Sequence, residues 1–197
     1  MFQLETNRMI LRKMKLSDVE KLSRIFTDPI AMQFYPSTKN EEETVAWIKW
    51  NQGNYEKYGI GFWIAENKQD GEFIGQCGLV PQEINLQQEI EIGYLIVRKY
   101  WGQGLATECA IACREYGFHK LGHDRLISLI DKRKSNGHGQ AYGNHILYKQ
   151  LHIHDRLISL IDKRNVASRR VAENVGMTWK KEISKWNKTI QLYSITK

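Results

Sequence analysis

The sequence contains the same eleven-residue segment twice. HDRLISLIDKR occupies His123–Arg133 and recurs unchanged at His154–Arg164, an offset of 31 residues. Its apolar run, bounded by charged residues, is typical of a buried β-strand. Because identical segments have identical intrinsic preferences, any fold of this chain must accommodate the same strand twice. A repeat array needs three or more units, so the single recurrence indicates a local duplication or insertion rather than a solenoid.

Helices and strands are interleaved along the rest of the chain. Capping boxes that begin at Ser17 and Thr38 predict the starts of two helices, and a turn at Asp70-Gly71 joins two predicted strands in a hairpin. The segment 89–97 predicts a long strand that alternates and then becomes continuously apolar. The remaining predicted elements are strands at 9–12, 178–184 and 189–195 and helices at 105–120 and 166–175. This order predicts a mixed α/β fold.

Composition disfavours several classes of protein. The chain is 42% hydrophobic and 11% aromatic, which is too apolar for a disordered chain. No apolar run approaches the roughly 18 residues of a membrane span, and the first residues lack the apolar region of a signal peptide. Three cysteines cannot all pair within one chain, so reduced thiols and a cytoplasmic location are expected.

The positive charge is concentrated in one part of the chain. The formal net charge is +7, and residues 120–185 hold 14 basic and 6 acidic residues. Such an excess indicates either a polyanionic partner, meaning a phosphorylated cofactor or nucleic acid, or simply a solvated basic face. Direct nucleic-acid binding is disfavoured because basic and aromatic residues are not interleaved. All six histidines lie between 119 and 154 without supporting cysteine or carboxylate spacing, so no metal site is expected.

A glycine-containing loop follows the long strand and opens a helix. In the segment 98–107, Gly102 and Gly104 permit positive φ and a close approach of the backbone. The first turn of the following helix has unpaired N–H groups, which suit a pyrophosphate. The alternative is an ordinary tight turn. The loop is not a dinucleotide fingerprint, because the third glycine is missing and no N-terminal βαβ unit precedes it.

Taken in order, EIGYLIV, KYWGQGLATE, a helix, RLISLID and NVASRRVAENVGM resemble the GNAT superfamily of N-acetyltransferases, and most closely its ribosomal-protein alanine acetyltransferase branch. The resemblance covers all but about 31 residues of the chain. It implies one acetyltransferase domain over 1–197, with an insertion or duplicated strand within about 123–164. It also implies a mainly antiparallel central sheet with a splayed strand pair and flanking helices. The implied function is transfer of an acetyl group from acetyl-CoA to a primary amine, such as the N-terminal α-amine of a ribosomal or other protein.

The resemblance also implies a set of cofactor-binding residues. The family pattern Q/R-x-x-G-x-G/A falls on residues 99–104, with Lys99 in the first position as a cation beside the phosphates. Backbone N–H groups from Trp101 to Ala106 would bind the pyrophosphate of acetyl-CoA, and the strand at 95–97 would pair with the pantetheine arm. Asn165 matches a family Asn that contacts the cofactor. The implied cofactor-binding residues are Leu95, Ile96, Val97, Lys99, Trp101, Gly102, Gln103, Gly104, Leu105, Ala106 and Asn165.

Two catalytic residues are predicted. Ser168 matches a family Ser near the sulfur and is a candidate proton donor to the leaving thiolate, with water as the alternative, because Ala172 stands where many relatives have a tyrosine acid. An α-amine has a pKa of about 7.7–8.0, so its deprotonation at pH 7 costs only roughly 1 kcal/mol and a carboxylate acting through water suffices. Glu91 is the predicted base, with Glu89 and the Tyr94 hydroxyl as alternatives, and the oxyanion donor is a backbone N–H near Ile96.

Aromatic residues of the first helices and the last hairpin are candidates for acceptor recognition, although at helical spacing they fit a core equally well. They are Phe34, Tyr35, Trp47, Trp50, Tyr55, Tyr58 and Trp186. Alternative functions are a CoA-binding or oligomer-forming module whose activity the insertion impairs, and an acetyltransferase for polyamines or antibiotics. Acidic clusters that would hold a polycation are sparse.

Only the flanking residues distinguish the two copies of the repeated strand. The second copy runs directly into Asn165, so we predict that it fills the central strand position. The displaced first copy would then expose Leu and Ile side chains, each contributing roughly 1.5–3 kcal/mol if buried. Such a strand would pair with another subunit, which predicts a homodimer through the duplicated strand.

Overall fold

The computed structural model describes residues 3–84, 87–130, 156–185 and 188–196. The strands are β1 (Gln3–Glu5), β2 (Met9–Lys13), β3 (Phe62–Asn67), β4 (Phe73–Ile84), β5 (Gln87–Ile96), β6 (Arg125–Ile130), β7 (Arg156–Asp162), β8 (Thr178–Lys185) and β9 (Lys188–Thr196). The helices are α1 (Val19–Phe26), α2 (Glu41–Tyr58), α3 (Leu105–Glu115), which continues as a π-helical turn to Lys120, and α4 (Val166–Asn174). The predicted elements are confirmed, and β1 is an addition to them.

The described strands form one sheet in the order β1-β2-β3-β4-β5-β6-β7-β9-β8. The β5–β6 and β6–β7 pairs are parallel and the others are antiparallel, which confirms the mixed α/β fold with a mainly antiparallel sheet. Helices cover both faces. On β4, Gln76 accepts a hydrogen bond from the Trp47 indole of α2 (2.9 Å), whereas the Sγ atoms of Cys77 and Cys113 of α3 lie 3.4 Å apart. Neighbouring residues of a strand face opposite sides, so α2 and α3 pack on opposite faces.

The three cysteines and the described helices bear on two features of the sequence, the thiols and the absence of a long apolar run. Cys77, Cys109 and Cys113 are all buried. Within the described residues, no helix is both long and apolar enough to cross a membrane.

The first two helices begin with different caps from those predicted. Asn40, and not Thr38, caps α2: its Oδ1 accepts the Glu43 N–H (2.9 Å), while Glu43 accepts the Asn40 N–H (2.8 Å). Ser17 lies within a short 3-10 turn ahead of α1, and the carboxylate that accepts a backbone N–H there belongs to Asp18. Asn caps a helix as well as Thr does, whereas α1 begins after Asp18, its N-cap, without a side-chain cap of its own.

The two copies of the repeated segment form neighbouring parallel strands. β6 comes from the first copy and β7 from the second, and they pair in register, with Leu126 opposite Leu157 and Ile127 opposite Ile158. These four side chains are 0–3% exposed. The prediction of one displaced, exposed copy was therefore wrong. The strand beside β5 is the first copy, and the second copy lies between β6 and β9.

This arrangement removes the reason for expecting a homodimer through the duplicated strand. β6 has β5 and β7 as neighbours, and β7 has β6 and β9. Both strands therefore lie inside the sheet rather than at its edge, and the described apolar side chains Leu126, Ile127, Leu157 and Ile158 are buried. The sheet absorbs the extra strand because in-register parallel pairing of identical segments buries like side chains against each other.

The splayed strand pair lies between β5 and β6. β4 and β5 pair continuously from Gly75 to Ile84, but β5 and β6 pair only where Glu91 lies opposite Ile127. Beyond that point none of the described strands pairs with the C-terminal half of β5 on its β6 side. This confirms the predicted splay and opens a slot in the middle of the sheet.

Deletion of residues 132–162 leaves one copy of the repeat, and we expect the shortened chain to fold. One strand then carries both the edge that β6 presents to β5 and the edge that β7 presents to β9, because the two sequences are identical. Circular dichroism should show cooperative thermal unfolding, and light scattering should show the same subunit number as for the full chain measured in parallel. Aggregation or non-cooperative melting would contradict the equivalence of the two strands.

Candidate active site

A cavity of about 370 Å³ occupies the slot between β5 and the structures that follow it. One wall is β5 from Glu91 to Ile96, and the loop and first turn of α3 from Tyr100 to Thr107 close one end, without Gln103. The opposite wall is α4 together with Ser128 of β6, and residues 31 and 33–35 complete the lining. The splay of the sheet therefore brings the glycine loop, the long strand and α4 to one space, as the sequence predicts.

The glycine loop presents unclaimed backbone N–H groups to this cavity. Gly102 and Gly104 both have φ of 78°, in the left-handed region that glycine adopts without strain. Gly104 is the N-cap of α3 and supplies no side-chain cap, so the N–H groups of the first turn have no side-chain acceptor. These donors and the positive end of the helix dipole fit a diphosphate. The donor set of the loop is therefore suited to the pyrophosphate of acetyl-CoA.

Lys99 lies outside this cavity, bound to another partner. Its ammonium forms an ion pair with Glu72, whose other oxygen accepts the Tyr100 hydroxyl at 2.5 Å. These two hydrogen bonds lower the pKa of Glu72 to about 2. The cationic side chain that lines the cavity is Arg170 of α4. From its position in the sequence, Lys99 is the expected cation beside the phosphates. Its partner Glu72 lies in a distant hairpin, so the ion pair that engages Lys99 cannot be foreseen from the loop sequence.

The hydrogen bonds of β5 determine which backbone groups of residues 95–97 can face the slot and pair with a pantetheine arm. The Val97 N–H donates to the Ile74 carbonyl of β4 (2.9 Å). Because bonded pairs alternate along an antiparallel ladder, the backbone groups of Leu95 also point to β4. Those of Tyr94 and Ile96 point away from β4, into the slot. One lone pair of the Ile96 carbonyl already accepts the Trp101 indole N–H (2.8 Å).

Glu91 and Tyr94 approach the slot from opposite faces of the sheet. Glu91 shares its face with Gly93, whose Cβ position would meet the ring of Phe62, and that ring packs on Trp47 of α2. Tyr94 lies on the other face, opposite Cys77 and under α3. A slot that passes through the sheet can therefore receive one reactant from each side.

Glu91 is a buried carboxylate on the cavity wall, 1% exposed. Its Oε2 accepts the Gln82 amide at 2.6 Å. Tyr35 lies close by: burial raises the pKa of its hydroxyl, and the charge of Glu91 raises it further. Glu89 does not line the cavity and pairs with Arg125 (3.0 Å). Burial raises the pKa of Glu89 while Arg125 opposes the rise. The structure thus distinguishes the two carboxylates that the sequence leaves as alternatives.

Asn165 and Ser168 meet at the start of α4. Asn165 is the N-cap, and its Oδ1 accepts the Ser168 N–H at 3.1 Å. Both residues are buried and line the cavity. Burial raises the pKa of Tyr94, and a hydrogen bond with Ser168 opposes the rise. The Ser168 and Tyr94 side chains therefore lie near each other on the wall of the slot.

The other sequence candidates are distributed as follows. Leu95, Ile96, Trp101, Gly102, Gly104, Leu105 and Ala106 line the cavity, whereas Val97, Lys99 and Gln103 do not. Of the acceptor-recognition candidates, Phe34 and Tyr35 line it, Trp47 and Trp50 pack in the core region, and Trp186 lies outside the described residues. Among the described residues no group of three metal-ligating side chains occurs, and four of the six histidines (138, 145, 152 and 154) fall outside them.

Two residues of the site have little sequence signal. Tyr35, named from the sequence only as one of several aromatic acceptor candidates, lies in a turn with no periodicity, and Arg170 is one of many basic residues in its segment. The sequence names Tyr94 only as an alternative to Glu91. The alternation of a strand could have placed it on the face opposite Glu91, since the two are three residues apart.

Comparison with known proteins identifies the class that this fold and slot define. Residues 8–136 match the model of the acetyltransferase (GNAT) domain. The chain is 40% identical to the uncharacterized protein YkkB of Bacillus subtilis (strain 168), over 97% of this chain and 94% of that protein. The chain belongs to the GNAT family of acetyltransferases. It is therefore an acyltransferase that uses acetyl-CoA as its cosubstrate.

Solved structures share the same fold at low sequence identity. RimL, a ribosomal L7/L12 α-N-protein acetyltransferase in complex with coenzyme A, has a TM-score of 0.67 at 14% identity, over 99% of this chain and 98% of that one. A ribosomal-protein-S5-alanine acetyltransferase from Vibrio fischeri has a TM-score of 0.65 at 14% identity, over 100% of this chain and 97% of that one. At these identities the similarity shows the fold.

Proposed function

We propose that this acetyltransferase acts on the N-terminal α-amine of a protein or peptide. The observation that carries the proposal is Glu91, a buried carboxylate on the face of the slot opposite Tyr94 and Ser168. An acceptor amine entering from the α2 face meets this carboxylate beside Tyr35. A carboxylate is a weak base, adequate for an α-amine of pKa about 7.7–8.0 but poorly matched to a lysine of about 10.4.

The residues of the slot have separate tasks. Acetyl-CoA supplies the activated thioester. The N–H groups of the loop at 102–106 and Arg170 bind its phosphates, since the Trp101 N–H already donates to the Arg98 carbonyl (3.1 Å). The slot-facing backbone of Tyr94 and Ile96 holds the pantetheine arm. Asn165 fixes the first turn of α4, which keeps Ser168 in place. An N–H on the slot side of β5 stabilises the oxyanion that develops during attack.

Two proton transfers complete the reaction. Glu91 accepts a proton from the attacking nitrogen, directly or through one water, as the new nitrogen–carbon bond forms. Ser168 donates a proton to the departing sulfur and regains one from water, while Glu91 returns its proton to solvent; Tyr94 lies beside Ser168. The carbon–sulfur bond breaks and the products are the acetylated amine and free CoA thiol. The base and the acid thus lie on opposite sides of the reacting carbonyl.

Structural neighbours named as ribosomal-protein acetyltransferases support a protein acceptor. The low acidity of the cavity also supports a protein acceptor, because Glu91 is the one acidic side chain among the described residues that line it. A polyamine or an aminoglycoside carries several positive charges and would need several acidic partners.

An acceptor panel tests the proposal by release of CoA thiol from acetyl-CoA. The panel contains peptides with free N-terminal alanine or serine, the same peptides with a formylated N-terminus and an internal lysine, spermidine and an aminoglycoside. We expect the free N-terminal peptides to be at least about tenfold better in kcat/KM than their blocked counterparts, since roughly 2.5 pH units separate the two amine pKa values. Faster turnover of spermidine or the aminoglycoside would overturn the assignment of the acceptor.

A further inference from the structure

The turn between β1 and β2 holds the first turn of α3. The Glu108 carboxylate accepts three hydrogen bonds from this turn: from the Thr6 hydroxyl (2.5 Å), from the Arg8 backbone N–H (2.7 Å) and from the Arg8 Nε (2.7 Å). The three donors lie about 100 residues from Glu108 in the sequence. The N-terminal hairpin is thereby fixed to the helix that follows the glycine loop.

Arg8 also reaches the loop itself. Its Nη1 donates to the Gln103 carbonyl at 3.0 Å, and its Nη2 lies 3.7 Å from the position that a Cβ on Gly104 would occupy. Gln103 lies between the two glycines with positive φ. One guanidinium therefore connects the middle of the loop with the first turn of α3.

The loop needs such a constraint for a physical reason. Glycine has more backbone freedom than any other residue, so a G-x-G segment has a high entropic cost of ordering. Fixing the Gln103 carbonyl fixes the peptide plane that also carries the Gly104 N–H, because a peptide unit is planar. The ion pair with Arg8 also compensates the negative charge of Glu108, which would otherwise lie in the helix turn nearest the diphosphate.

We propose that Arg8 is a positioning residue for the diphosphate site, acting through the Gln103 carbonyl and Glu108 to hold the loop N–H groups in the binding geometry. This inference rests on the proposed placement of acetyl-CoA at the glycine loop. Arg8 orders the loop before the cosubstrate arrives, so its effect is confined to the phosphate-bearing part of the ligand. A thioester that lacks the diphosphate gains nothing from it.

Arg8→Ala tests the proposal, with Arg8→Lys as a second variant that keeps the charge but cannot bridge Gln103 and Glu108 together. Lys68→Ala is the matched control, because it removes an exposed cation that pairs with Glu5 of the same hairpin (2.9 Å). Calorimetry measures the Kd for CoA. Turnover is measured with acetyl-CoA and with S-acetyl-pantetheine, which lacks the diphosphate and nucleotide. Thermal unfolding reports stability.

For Arg8→Ala we expect the Kd for CoA and the KM for acetyl-CoA to rise about tenfold or more, as for loss of a charge-assisted hydrogen bond. The kcat for acetyl-CoA and the kcat/KM for S-acetyl-pantetheine should stay within about threefold of wild type, and Arg8→Lys should fall between. An unchanged Kd in Arg8→Ala, or equal losses with both thioesters, would overturn the positioning role. Absence of CoA binding by the wild-type chain would instead overturn the proposed cosubstrate site itself.

Discussion

Replacement of Glu91 by Gln is expected to lower kcat/KM about 10²-fold at pH 7, the lower end of the range for loss of a general base. Gln keeps the size of the side chain and can still pair with Gln82, whose amide lies 2.6 Å from Glu91 Oε2. It cannot accept a proton. Binding of CoA should be unchanged, because the glycine loop is at the other end of the cavity. Initial rates with an N-terminal alanine peptide, together with calorimetry of CoA binding, measure both quantities.

The pH dependence of this loss gives a sharper test. An α-amine with a pKa of about 7.7–8.0 is mostly protonated at pH 7 and mostly neutral at pH 9. A base is therefore most useful at low pH, and the ratio of wild-type to Glu91→Gln kcat/KM should shrink as the pH rises through the amine pKa. A ratio that stays constant from pH 6.5 to 9.5 would show that Glu91 contributes charge or packing rather than proton transfer.

Glu89→Gln is the matched control on the same face of the same strand. Glu89 is outside the cavity and forms an ion pair with Arg125. Removing its charge leaves a half-buried guanidinium less well compensated, so we expect a lower melting temperature but less than about a tenfold loss of kcat/KM. If the two substitutions reduced turnover equally, the assignment of the base to Glu91 would be wrong.

The arrangement of the repeated strand could not be deduced from the sequence. Identical segments give identical strand preferences, and both copies do form strands. The prediction of one displaced copy was wrong because the sheet accommodates both strands. In-register pairing of Leu126 with Leu157 and of Ile127 with Ile158 buries both rows of side chains within the same sheet. This pairing stabilises the two copies only against each other, so it cannot be predicted from the residues that flank either copy.

The cofactor loop was predictable because its properties are local. Two glycines ahead of a helix specify positive φ and free N–H groups whatever the rest of the fold does, and both appear at Gly102 and Gly104. The role expected of Lys99 depended instead on a distant residue, Glu72, which forms an ion pair with it. The Ser168–Tyr94 pair likewise depends on how α4 packs over β5. Long-range packing, rather than local preference, accounts for what sequence reasoning missed.

Replacement of Gly104 by Val is expected to raise the Kd for CoA about 10²-fold. Gly104 has φ of 78°, which a β-branched residue adopts only at a cost of about 1–3 kcal/mol. Relief of that strain would move the Gly104 and Leu105 N–H groups away from the cavity. Loss of two hydrogen bonds to a charged group, each contributing about 1.5–3 kcal/mol, accounts for the expected change in affinity. Calorimetric titration of CoA into the variant measures it.

Gly59→Val separates loss of the site from backbone strain. Gly59 caps the C-terminus of α2 with φ of 74° and has open space around its Cβ position. Gly104 has a similar φ and nearly as much space, because the nearest atom to its Cβ position, Arg8 Nη2, is 3.7 Å away. Both substitutions should therefore lower the melting temperature by similar amounts. Gly59 does not line the cavity, so its variant should bind CoA with wild-type affinity. Equal weakening of CoA binding in both variants would mean that general destabilisation, and not the backbone geometry of the glycine loop, controls affinity for the cosubstrate.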